Sequence, residues 1–252
     1  MKKAKIEVYE VNVIVKLKKE LKFDEVSTVI SSILDDRICK KLDSSYHTAK
    51  TFKEYCFDNF YKIETDGVYK EGKHYMFRIR SIRKDLCDLF LKLEDLETDD
   101  LLFVKTRSRI LPRQIIDKLY SLTPFLFKYD KGYWRFNETL SFIKEQIFKN
   151  SMSKYRKFTN TTEMLDIKDT FVAGIKLFNK APIKILYKNT TFYTDKLEII
   201  VKKDEISQEV AYMLLGVGIM NNTTRGYGFV MPSYVKKKKG EFVNDWKFNW
   251  CF

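Results

Sequence analysis

The chain has 252 residues, of which 44% are hydrophobic and 15% aromatic, enough for one large or two small cores and too apolar for a disordered tail. Lys and Arg total 47 against 34 acids, a formal charge of +13 with a pI near 9.3. That excess favours a polyanionic partner, nucleic acid ahead of an anionic membrane surface, although a lysine-rich proteome would give the same number. The most apolar stretch, 211–220, is too short to cross a bilayer and contains two glycines, so no membrane partner is expected. The opening MKKAKIEVYEVNV lacks an apolar core and a small-residue cleavage site, so no leader is expected either. Cys39, Cys56, Cys87 and Cys251 form no CxxC pair and read as ordinary thiols of a reduced cytoplasm. With His47 and His74 the only histidines, neither a zinc site nor another cofactor is expected.

In chain order, residues 6–17 carry the strand formers Ile6, Val8, Val11, Val13 and Val15. Phe23, Val26, Ile30, Ile33, Leu34, Ile38 and Leu42 then recur at helical steps, with Asp24 as the expected N-cap and Asp43-Ser44-Ser45 as the break. Tyr75, Phe77 and Ile79 alternate with Met76, Arg78 and Arg80, the period of a half-exposed strand. A second helix over Ile82–Leu93 and a strand over 101–105 complete a β-α-β-β-α-β order, the ferredoxin-like arrangement.

A second set starts near Pro112. Strands are expected at 123–129 and 133–136 around the turn Asp130-Lys131-Gly132, then a helix from an Asn137 cap through Leu140, Ile143, Ile147, Phe148 and Tyr155. Strands at 171–178, 183–187 and 197–201 follow, then a helix with Ile206, Val210, Met213 and Leu214 ending at Gly216, and a strand at 226–231. The expected fold is α+β, two tandem ferredoxin-like domains at 1–115 and 116–235, followed by a basic tail at 236–252.

The strongest local signal is the run from Gly216 to Phe229, in which Gly216, Gly218, Gly226 and Gly228 enclose Asn221, Asn222 and Arg225. Such a loop lets backbone amides approach phosphates closely. It is no dinucleotide fingerprint, because the glycines follow a helix, and no P-loop, because no Gly-Lys-Ser/Thr occurs. Taken alone, it is equally a helix stop followed by a tight turn.

A C-terminal G-x-G…G-[FY]-G loop resembles the hallmark of the repeat-associated RNA-binding superfamily of CRISPR proteins, which uses ferredoxin-like domains, often in tandem. Within it, the endoribonucleases that cut precursor transcripts carry a His shortly after the first helix, followed by Lys and aromatic residues. The run Tyr46-His47-Thr48-Ala49-Lys50-Thr51-Phe52-Lys53 is similar in place and pattern. The match runs through most of 1–235, including the 75–79 strand and the 121–124 segment, and leaves out the tail. The resemblance implies that His47 is the general base and that Lys53, with Lys50 as a second candidate, stabilises charge on the phosphate. Some members place a Tyr on the helix before the His. The comparable stretch here is Ile30-Ser31-Ser32-Ile33, and Tyr46 beside His47 is the remaining candidate. The same resemblance makes Gly216, Gly218, Asn221, Asn222, Arg225, Gly226 and Gly228 the RNA-binding loop.

The implied chemistry needs no metal. An imidazole with a pKa of about 6.5 takes the proton from the 2′-OH. The alkoxide attacks the adjacent phosphate, leaving a 2′,3′-cyclic phosphate and a 5′-OH. The implied partner is CRISPR repeat RNA, with other effector subunits and a second copy of the chain as further partners in view. Plainer readings stand beside each residue: His47 as an exposed loop histidine, and Lys50 and Lys53 as solvated surface charge. His74 is a rival base on the 75–79 strand, more simply a surface residue. Arg107, Arg109, Arg113, Lys154, Arg156 and Lys157 could track phosphates, and Lys128-Tyr129 or Tyr133-Trp134-Arg135 could stack on bases. The alternatives to a nuclease are a non-cleaving guide-RNA subunit of an effector complex and a general single-strand RNA-binding protein.

Overall fold

Residues 6–42, 45–46, 49–94, 96–160, 171–187 and 190–236 are described by the computed structural model, with backbone alone for Leu186 and Tyr187. His47, the Asp43-Ser44 break, Cys251 and the tail beyond Lys236 lie outside the described residues.

Along β1 (Tyr9–Leu17), Val11, Val13, Val15 and Leu17 are buried on one face of the strand. After β2 (Leu21–Lys22), helix α1 (Phe23–Lys41) buries Val26, Ile30, Leu34 and Ile38, a four-residue repeat that makes one apolar stripe. Its N-cap is Lys22 rather than Asp24: the Lys22 N–H donates to Glu25 Oε2 at 2.8 Å, and Asp24 sits in the first turn, where the helix dipole favours an anion. Then come β3 (Tyr55–Phe57), β4 (Val68–Tyr69), β5 (His74–Ser81), α2 (Lys84–Leu91) and β6 (Leu101–Ile110). Strands β3, β5, β1 and β6 form an antiparallel sheet in that order. Both helices cover the face that carries Val13, Phe77 and Ile79.

The second half repeats the plan with β7 (Ile116–Ser121), α3 (Leu140–Thr159), β8 (Val172–Leu177), the hairpin β9 (Ile183–Tyr187) and β10 (Thr190–Thr194), β11 (Leu197–Val201), α4 (Glu205–Val217) and β12 (Val230–Tyr234). Its sheet runs β12, β7, β11, β8, again antiparallel, with β9 and β10 as a separate ribbon. Each sheet has the strand order of a ferredoxin-like fold, so the chain is an α+β tandem of two such units.

Four expectations for the second half need correction. Residues 123–129 make only isolated bridges, Phe125 with Asp195 and Leu126 with Asn221, and 134–136 forms a turn of 3-10 helix. The strand lies earlier, at Ile116–Ser121, and its ladder to β12 ends where the Thr123 hydroxyl replaces a backbone acceptor, taking the Phe229 N–H at 2.9 Å, just before Pro124. Helix α3 is capped by Thr139, whose hydroxyl accepts from the Phe142 N–H at 3.3 Å, and not by Asn137. The last strand starts at Val230, because Gly226 and Gly228 hold φ of +82° and +66°, outside the strand region.

The halves meet through α4. Every residue from Val210 to Val217 is buried, because the helix packs on its own sheet and against β3 and β5. Contact is close enough to require glycine at Gly216, where a Cβ would lie 2.7 Å from Ile82 Cγ2. A buried polar centre spans the same seam. Arg80, expected on a half-exposed strand, is 1% exposed because α4 and β12 cover that face. Its Nε donates to Glu10 Oε2 at 2.7 Å and its Nη1 to the Val230 carbonyl at 2.7 Å, while Arg109 Nη2 holds the other Glu10 oxygen at 2.6 Å.

Candidate functional site

Strand β3 and the segment before it gather the residues marked by the sequence. Tyr46 Oη donates to Glu54 Oε2 at 2.6 Å, and the Tyr46 ring carries Lys53 Nζ at 4.6 Å and the Arg83 guanidinium at 5.6 Å. Burial, then the bond to Glu54, pushes the Tyr46 phenol far above its usual range. Lys53 Nζ donates to the Tyr46 carbonyl and, at 3.1 Å, to the Ala49 carbonyl, so one ammonium ties the backbone on both sides of 47–48. Burial lowers the Lys53 pKa, and neighbouring Lys157 acts in the same direction against Glu54 and Asp35. Lys50 is exposed on the same segment. Beside it opens a cleft of about 430 Å³ lined by Glu7, Tyr9, Glu54, Arg83, Lys157 and Phe158.

The glycine loop packs against β3. Asn222 holds φ of +57°, Gly218 holds φ of +69°, and at Gly228 a Cβ would collide with the Ile219 carbonyl, so the backbone path itself demands glycine there. A Cβ on Gly226 would stand 3.0 Å from the Phe57 ring, within β3. Arg225 pairs with Asp35 of α1 through its Nη1. Asn221 is engaged by backbone: its N–H donates to the Leu126 carbonyl at 3.1 Å and its Oδ1 accepts from the Lys128 N–H at 3.3 Å. Asn221, Asn222 and Arg225 remain partly exposed, while Gly216, Gly218, Gly226 and Gly228 are buried.

Two lysines one turn apart on α3 bind these parts together. Lys157 Nζ donates to Thr51 Oγ1 at 2.6 Å and to the Phe52 carbonyl. Lys154 is buried and donates to the carbonyls of Gly218 and Met220 at 2.8 and 2.9 Å. Burial lowers its pKa to about 7, against a smaller opposing influence from Cys56. A neutral amine has two N–H donors, which match the two carbonyls. The unfolded chain keeps an ordinary lysine near 10.4, so as pH rises through about 7 the folded form sheds a proton that the unfolded form retains, and stability rises. Below about pH 7 both forms are protonated and this gain is absent. Between pH 6 and 8.5 the wild type is expected to gain about 2 kcal/mol over Lys154→Met, read from urea midpoints. Equal pH slopes for the two proteins would contradict this placement of the ammonium.

The remaining candidates fall elsewhere. His74 begins β5, whose far end, Ser81, pairs with Tyr55, so roughly 23 Å of strand separates it from the 46–54 segment. Arg109 and Arg113 are committed to Glu10 and Glu209, whereas Arg107 and Arg156 face solvent. Glu54, which holds Tyr46, and Asp35, which pairs with Arg225, carried no signal of their own in the sequence; the Asp35 partner lies 190 residues along the chain. Among the described residues, no three His, Cys, Asp or Glu side chains converge as a metal site, and no helix is long and apolar enough to cross a membrane.

No protein-family model matches the chain, and no curated protein does. Solved structures do match. A CRISPR-associated protein Cas6 aligns at a TM-score of 0.66 over 90% of this chain and 100% of its own, with 16% identity. A Cas6-related protein from Pyrococcus furiosus gives 0.65 over 90% and 98%, with 13% identity. A RAMP protein described as binding different RNA substrates gives 0.64 over 89% and 99%, with 12% identity. Across nearly its whole described length, then, the chain has the fold of the CRISPR-associated Cas6 and RAMP proteins.

Proposed function

We propose that the chain binds CRISPR repeat RNA and cuts the precursor transcript once in each repeat, without a metal. The observation that supports this most is that one helix, α3, holds both marked parts, Lys157 bonding Thr51 and the Phe52 carbonyl and Lys154 the Gly218 and Met220 carbonyls, within a fold shared with Cas6 proteins. In this reading His47 takes the 2′-OH proton and the alkoxide attacks the adjacent phosphorus. The P–O5′ bond breaks, and the leaving oxygen receives a proton. Lys53 is a positioning residue that holds the carbonyls of Tyr46 and Ala49, and exposed Lys50 supplies charge to the phosphate oxygens. Tyr46, with its hydroxyl engaged by Glu54, serves packing rather than proton transfer. The glycine loop, with Asn221, Asn222 and Arg225 at its surface, meets the RNA backbone.

A second reading, a guide-RNA subunit that does not cut, is favoured by the engagement of Lys53 with carbonyls and of Arg225 with Asp35. Purified protein, its host's repeat RNA and EDTA, run on denaturing and native gels, separate the two. One cut per repeat is expected. A shifted but intact RNA would support the binding subunit, and an RNA neither shifted nor cut would overturn both.

A further inference from the structure

We infer that the second half carries a stacking site for unpaired RNA bases, built on Phe136 and Tyr193 and distinct from the glycine loop. Phe136 is 72% exposed and Tyr193 42% exposed, although both are large rings on a well-packed unit. They stand with centroids 6.4 Å apart, and each rests on buried Tyr133, at 5.2 and 5.6 Å. Beneath the rings lies Asp195, fully buried. Its carboxylate accepts from Tyr133 Oη at 2.7 Å, Trp134 Nε1 at 2.8 Å and Asn179 Nδ2 at 2.8 Å, and pairs with Arg135 at 2.9 Å. A buried carboxylate satisfied this fully fixes the 133–136 turn that carries Phe136, so little ordering of that backbone is left for a ligand to impose.

The surrounding charge chooses the occupant. Lys131 and Lys180 are exposed, and their carbonyls bond Asn137 and Arg135, the two neighbours of Phe136, at 3.1 and 2.8 Å. Lys184, also exposed, is the cross-strand partner of Tyr193 in the β9–β10 ribbon, which puts both on one face. Rings rimmed by lysines fit a single strand, whose bases stack while its phosphates meet the ammonium groups. The inference shares with the proposed function only the premise that the ligand is RNA.

The test is fluorescence anisotropy with a short oligoadenylate and an abasic oligomer of the same length, using the full chain. Phe136→Ala is expected to weaken oligoadenylate binding about 5- to 150-fold, the span of base–aromatic stacking, with an unchanged salt slope. Phe136→Trp should bind as wild type, and the abasic oligomer should bind wild type and Phe136→Ala alike. Lys184→Gln should instead lower the salt slope by about 0.7. Wild-type oligoadenylate binding by Phe136→Ala would overturn the inference and point to a protein partner on these rings. An equal loss for both oligomers would also overturn it, making Phe136 structural. Repeat cutting measured in parallel keeps the two ideas apart: an uncut repeat with base-dependent binding sinks the nuclease alone, and normal cutting with base-independent binding sinks the stacking site alone.

Discussion

His47→Ala is expected to slow repeat cutting by about 10²–10⁴-fold while binding of the repeat stays near that of the wild type. The loss is confined to chemistry because the backbone flanking 47–48 is secured by Lys53 through the carbonyls of Tyr46 and Ala49, which the substitution leaves in place. His74→Ala is expected to cut normally, since it sits at the far end of β5. Single-turnover rates on the repeat RNA check both. A His47→Ala protein that cuts at the wild-type rate, with a His74→Ala protein that does not, would reverse the assignment.

Arg80→Met is expected to remove about 3–5 kcal/mol of folding stability, a large part of what a domain of this size has. The guanidinium does two things at the seam. It compensates Glu10, which is fully buried, and it supplies a donor to the Val230 carbonyl. Burial alone would raise the Glu10 carboxyl, but Arg80 and Arg109 beside it outweigh that and hold it below the usual carboxylate range. Removing Arg80 leaves a buried carboxylate with Arg109 as its remaining close cation. The double replacement Glu10→Met with Arg80→Met should be less destabilising than Arg80→Met alone, because no buried charge stays behind and Arg109, half-exposed, keeps its solvent. Urea unfolding at constant m-value reads this directly. A single variant within about 1 kcal/mol of wild type would show that the seam does not depend on the pair.

Local pattern carried the fold a long way. The four-residue stripe of α1 and the runs at Ile183–Tyr187 and Leu197–Val201 are set by their own side chains, and they stand where periodicity puts them. What failed depended on distant partners. Phe125, Leu126 and Phe127 look like a strand, yet the ladder belongs to 116–121, and the aromatic run packs into the core from a loop. Arg80 reads as half-exposed until α4, from the other half, covers it. The candidate site divides the same way. Its glycines and its Lys-rich segment are visible in the sequence, whereas the bonds that assemble them, Arg225 with Asp35 and Lys157 with Thr51, span 190 and 106 residues. The stacking rings were partly marked by Tyr133-Trp134-Arg135, but Phe136 and Tyr193 are the exposed members, because Asp195 draws Tyr133 and Trp134 inward.

On the proposed function, the chain itself cuts repeat RNA through the 2′-OH. Mass analysis of the fragments from a digest in EDTA tests it most directly. An upstream fragment ending in a 2′,3′-cyclic phosphate and a downstream fragment beginning with a 5′-OH are expected, both absent from the His47→Ala digest. A 3′-OH with a 5′-phosphate would contradict it, as would intact RNA that the protein has bound.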